Sequence, residues 1–158
     1  MRIALFTLGA IFALTPPALA EDELLARGRY LSQIMDCTGC HTDGALIGQP
    51  KSELALAGSS IGFEVPGIGY VYPPNLTSDE QTGLVGWSVE DIVRAVTTGE
   101  RPDGRILMVM PWQSYSALTP EDAAALATYI KNLPPIHNAV PPLTGAGQPQ
   151  PGPVLVLR

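Results

Sequence analysis

Cys37 and Cys40 are the only cysteines in the chain, and two thiols exclude a four-thiolate zinc site. Histidine is as scarce. His41 and His137 are the only two, so a Cys-Cys-His zinc site would need a further ligand from a distant, proline-rich tail. Basic residues are few, with 9 Lys and Arg against 15 Asp and Glu and a formal net charge of −6. That balance repels phosphates, so nucleic acid is excluded as a partner. Beyond residue 20 there is no uninterrupted apolar run near the roughly 20 residues that a membrane-spanning helix needs, and no internal repeat.

The first 20 residues carry the pattern of a secretory signal peptide. Arg2 gives the positive start, Ile3 to Leu14 an apolar run, Thr15-Pro16-Pro17 a break, and Ala18-Leu19-Ala20 a small-x-small cleavage site. The apolar run is too short to span a bilayer, so cleavage is expected rather than a retained anchor. The expected mature chain, from Glu21, loses Arg2 and is one charge more acidic than the whole. It has the size of one domain and belongs in the periplasm.

In an exported chain two cysteines ordinarily pair as a disulfide, but the stretch Cys37-Thr38-Gly39-Cys40-His41 gives them another use. C-x-x-C-H is the pattern of covalent c-type haem attachment. Each thiol adds to one porphyrin vinyl group, and the short loop between them brings the adjacent imidazole under the iron. A thioredoxin-like redox pair is the competing reading of C-x-x-C alone. One copy of the motif predicts one haem c.

The rest of the chain is organised about that motif. From Glu21 to Met35, Leu24, Leu25, Leu31, Ile34 and Met35 recur at helical spacing, and Glu21, Asp22 and Glu23 suit the positive end of the helix dipole. Gly28 inside this helix marks either a close crossing by another helix or a tolerated glycine. Thr42 to Gly86 is rich in Gly and Pro with no sustained period. It is expected to wrap a large apolar disc, with a short extended segment at Ile68 to Tyr72. A second helix opens at Trp87-Ser88-Val89-Glu90-Asp91, with Ser88 and Asp91 in a capping-box arrangement and Gly99 as its stop. A third starts at Thr119-Pro120-Glu121-Asp122 and runs to about Lys131 or Asn132, before Pro134-Pro135. Residues 136–158 are set apart as an extended, proline-rich C-terminal tail whose Val154-Leu155-Val156-Leu157 end is apolar enough to dock on the domain or on a partner; a disordered terminus is the alternative.

Iron held by His41 needs a sixth ligand for electron transfer. Met35 precedes Cys37 by two residues and lies on the wrong side of the disc. Met108 and Met110 lie far enough downstream to reach the opposite face, and an extended segment aims both the same way. Pro111 holds Met110 extended at the start of a turn, which favours Met110 over Met108.

Taken together, these stretches resemble the class I cytochromes c, most closely the cytochrome domains of bacterial alcohol and sugar-acid dehydrogenase systems. The resemblance rests on Asp36 to Thr42, Pro74-Asn75-Leu76-Thr77, Thr82-Gly83, Gly86-Trp87-Ser88 and Pro102-Asp103-Gly104-Arg105. Met110-Pro111-Trp112, Leu118 to Asp122 and Tyr129-Ile130 to Leu133-Pro134-Pro135 complete it, over about residues 24 to 135. It implies an all-α fold over residues 21–135: a small helical bundle with long loops, wrapped around one haem, its first and last helices crossing beside it. It implies His41 as proximal and Met110 as distal iron ligand, and Trp87 and Asn75 as groups at the haem propionates; packing in the core is the other reading of Trp87.

Three functions follow. The first is a mono-haem carrier that passes single electrons between a dehydrogenase or other donor and a respiratory acceptor, through a redox partner protein and without being an enzyme. The second is a dedicated redox subunit of a dehydrogenase complex. The third is a haem peroxidase or gas sensor, which needs an open sixth position that Met110 and the lack of a distal histidine argue against.

Overall fold

The computed structural model describes residues 21–156; the segment 1–20, read from sequence as a signal peptide, lies outside the described residues. Among the described residues there are five α-helices: α1 (Glu21–Ile34), α2 (Cys37–His41), α3 (Val89–Thr98), α4 (Trp112–Tyr115) and α5 (Pro120–Lys131). α3 and α5 begin where local chemistry satisfies free N–H groups. Ser88 Oγ accepts from the Asp91 N–H at 3.1 Å and Asp91 Oδ2 accepts from the Ser88 N–H at 3.0 Å, a complete capping box. Gly99 ends α3 in the left-handed region at φ 75°. Thr119 caps α5 through the Asp122 N–H, with Pro120 in the first turn.

α1 and α5 cross in direct backbone contact, and Gly28 makes that possible. A Cβ at this position would lie 2.1 Å from the Ala125 carbonyl oxygen and 2.5 Å from Tyr129 Cβ. The sequence left a close crossing and a tolerated glycine open; the crossing is what the fold contains. Arg27 locks it from outside with a two-pronged ion pair to Asp122, at 2.8 and 2.9 Å. Leu31 of α1, Ile92 and Val96 of α3, and Leu126 and Ile130 of α5 form the core between these helices.

The fold is not purely all-α. Among the described residues, four short strands form a sheet in the order β3-β2-β1-β4, from β1 (Gly62–Val65), β2 (Gly69–Val71), β3 (Thr144–Gly145) and β4 (Val154–Val156). β1 and β2 form an antiparallel hairpin in which Phe63 pairs with Val71, inside the stretch read from sequence as wrapping loop. β2 matches the expected extended segment. β4 runs parallel to β1, Phe63 opposite Leu155, so the apolar end of the tail docks on the domain. The Gly62 N–H donates to the Pro153 carbonyl oxygen at 2.9 Å, leading β4 into register. No described helix is long and apolar enough to cross a membrane.

Candidate haem site

α2 holds the two cysteines and His41 on one short turn. The residue before it, Asp36, takes the left-handed conformation at φ 54°, and its carboxylate folds back over the turn. A Cβ at Gly39 would lie 2.2 Å from Asp36 Oδ2, so a larger residue there would have to displace the Asp36 carboxylate. Both thiols are free and half-buried. Burial pushes Cys37 up to about 11 and raises Cys40 as well. Thioredoxin-like pairs depend on depressed values, so this environment does not suit that chemistry.

His41 Nδ1–H donates to the Pro74 carbonyl oxygen at 2.8 Å. That bond fixes the tautomer, leaving Nε2 with a free lone pair for a metal. Burial lowers the His41 pKa, more than the Pro74 bond raises it, which keeps the ring neutral and able to ligate. Among the described residues no group of three or more His, Cys, Asp or Glu side chains could hold a metal ion by itself.

The thiols and His41 form one side of a mostly apolar cleft whose empty space, including the solvent at its mouth, is about 1090 Å³. Leu126, Ile130, Ile92 and Val96 line its floor. Phe63 and Val71 of the hairpin, with Tyr72 just after it, line one wall, and Met108, Val109 and Met110 line another. Met110 is partly buried and packs against the core cluster, whereas Met108 is 43% exposed.

Behind Met110 the loop is braced. The Trp112 N–H donates to the Met110 carbonyl oxygen at 2.9 Å, and the Leu107 N–H to the Gly99 carbonyl oxygen at 2.8 Å. The Trp112 ring lies against Gly99, where a Cβ would come within 2.5 Å of its nitrogen.

Trp87 lines the cleft, with the Arg101 guanidinium 5.2 Å from its ring centre, within reach of a cation–π interaction. Asn75 does not line it. Its side chain is fully buried, Nδ2 donates to Thr82 Oγ1 and the Ile136 carbonyl oxygen, and Oδ1 accepts from the N–H and hydroxyl of Thr77. With all its hydrogen-bonding capacity used inside the protein, this amide has nothing left for a propionate. His137 is exposed, beside Asp79 at 3.3 Å and not among the lining residues. Sequence reasoning missed Arg101, the Pro74 carbonyl and Tyr115, whose hydroxyl donates to the Met35 carbonyl oxygen at 2.8 Å. Only Arg101 left a signal, a cation immediately before the Pro102-Asp103-Gly104-Arg105 turn.

The family model for cytochrome c matches residues 25–134, a span that contains α2, the cleft and α5. The chain belongs to the cytochrome c family. This cytochrome is 33% identical over 120 residues to the cytochrome c subunit of the quinone alcohol dehydrogenase of Gluconobacter oxydans, covering 74% of the present chain and 23% of that protein. It is 36% identical over 119 residues to the cytochrome c subunit of gluconate 2-dehydrogenase from Pantoea cypripedii, covering 75% and 25%. The fructose dehydrogenase cytochrome subunit of Gluconobacter japonicus is 33% identical over 116 residues, covering 72% and 22%. The cytochrome thus spans about a quarter of the length of these relatives. Membership brings covalently bound haem c and its iron. The site fits that group: two unpaired thiols and an imidazole with its free nitrogen unengaged sit on one apolar cleft that a thioether side chain also lines.

Proposed function

We propose that this cytochrome is an exported, mono-haem carrier of single electrons. Cys37 and Cys40 tether the haem, His41 is the proximal ligand through Nε2, and Met110 is the distal one. Bound haem supplies the one-electron iron couple; the chain supplies two neutral ligands and an apolar enclosure. Neutral thioether and imidazole favour the ferrous state and raise the potential, and the apolar walls keep water from the metal. The observation that carries this reading is that His41, oriented by Pro74, and the half-buried Met110 line the same apolar cleft. Trp87 and Arg101 then form the polar edge of that cleft, the place for the propionates.

The partner is a redox protein: a dehydrogenase as donor, or a respiratory acceptor. A role as a fixed subunit of a dehydrogenase complex is the second reading, because the relatives named above are cytochrome subunits of dehydrogenases. A peroxidase would need polar groups beside an open sixth position, whereas this cleft is apolar and Met110 lines it. The acidic surface favours encounter with a basic patch, an attraction that salt weakens. Stopped-flow mixing of the reduced protein with a redox partner from the same source tests the proposal. Fast, salt-sensitive oxidation supports it, and sustained peroxide turnover with Met110 in place would overturn it.

Export with cleavage after Ala20 places the protein in the periplasm. Intact mass of denatured protein from that compartment is expected to give the chain from Glu21 plus one haem.

A further inference from the structure

Residues 136–156 lie beyond the 25–134 segment that the family model matches, yet they pack on both backbone segments that hold His41. One segment carries Pro74, the acceptor of the His41 ring N–H. Its neighbour Asn75 donates to the Ile136 carbonyl oxygen at 2.8 Å, and the Ile136 N–H returns to Thr77 Oγ1 at 3.2 Å. The other segment carries Gly58, whose N–H donates to the carbonyl oxygen of His41 itself at 2.8 Å. Asn138 Nδ2 donates to the Ala57 carbonyl oxygen at 2.9 Å. Val140 covers Gly58 so closely that a Cβ there would lie 2.5 Å from Val140 Cγ1. Further along, the Gly152 carbonyl oxygen accepts from Tyr72, a residue of the cleft wall, at 2.8 Å.

We propose that residues 136–156 form a strap that positions the proximal histidine from behind, through Asn75-Pro74 on one side and Ala57-Gly58 on the other. No residue of the strap lines the cleft, so it works through the groups that touch His41. A ligating imidazole is oriented, and its basicity set, by the acceptor of its second N–H. Here that acceptor is a loop carbonyl, and a loop is held only as firmly as its neighbours hold it. Pro74 has no N–H of its own to anchor, and Asn75 is tied to the strap by a bond that spans 61 residues of sequence. The strap therefore converts a mobile acceptor into a fixed one.

The inference rests on His41 being the proximal ligand, and the test separates the two. Asn138→Ala, Val140→Ala and a chain ending at Pro135 are compared with the unaltered holoprotein. Solvent exchange of the His41 Nδ1–H and of backbone amides is followed by NMR in the reduced state. In the shortened chain the His41 Nδ1–H and Gly58 N–H are expected to exchange about tenfold faster, with smaller rises in the point variants, while the α5 amides keep their rates. The band of an iron–sulfur bond is expected to persist, because the strap does not touch the Met110 loop. Unchanged exchange at His41, or an equal rise across the whole chain, would overturn the strap. Should the shortened chain fail to accumulate, the two point variants decide on the same criterion. If His41→Ala retains a six-coordinate low-spin haem with native absorption, the ligand reading fails instead.

Discussion

The indole N–H of Trp112 donates to the carbonyl oxygen of Leu107 at 3.0 Å, closing the loop that presents Met110 to the cleft. A thioether is a weak ligand, so its hold on iron depends on how firmly the loop is kept in place. Trp112→Phe keeps most of the ring and removes the N–H. The expected result is a loss of about 1 kcal/mol, seen as a lower temperature and a lower pH at which the weak long-wavelength iron–sulfur absorption disappears. The His41 side is expected to stay unaltered.

Gly28 faces the α5 backbone with no space for even one more carbon. Gly28→Ala would raise helix propensity in α1, which by itself favours folding by about 1 kcal/mol. Overpacking against a backbone carbonyl costs more, on the order of 1–3 kcal/mol or above. The variant is therefore expected to be destabilised, as chemical denaturation of the holoprotein measures; a stabilised variant would mean the two helices separate freely.

The third expectation concerns acid. Burial alone would raise the Asp43 carboxyl, but the Lys51 ammonium at 2.6 Å and the Ser60 hydroxyl and N–H outweigh it and hold the group at about 2. Because the folded value lies below the unfolded one, the carboxylate stabilises the fold above about pH 4. That contribution, on the order of 2 kcal/mol, fades as pH falls from about 4 to about 2. Asp43→Asn is expected to be less stable at neutral pH and to show a flatter stability profile across that window. Equal slopes for the two proteins in acid denaturation would show that Asp43 is not the group that titrates.

What the sequence made legible was local. The Ser88–Asp91 capping box, Thr119-Pro120 and Gly99 each act within one helical turn, so neighbouring letters suffice to read them. The C-x-x-C-H motif is equally compact. The sheet was hidden because its strands are two to four residues long and β4 finds its partner β1 some 90 residues away, out of a proline-rich stretch that reads as tail. Asn75 misled for a different reason: an exposed and a fully satisfied amide look alike in sequence, and only the positions of Thr77, Thr82 and Ile136 tell them apart. Arg101 and Trp87 are 14 positions apart and meet only after α3 has folded between them.

The claim that His41 and Met110 ligate one iron across an apolar cleft is tested most directly by the ferric absorption spectrum of two methionine variants. Met110→Ala is expected to abolish the weak long-wavelength iron–sulfur band and to open the sixth position to added ligands, while Met108→Ala, at the more exposed site, leaves the band intact. Survival of the band in Met110→Ala together with its loss in Met108→Ala would contradict the account.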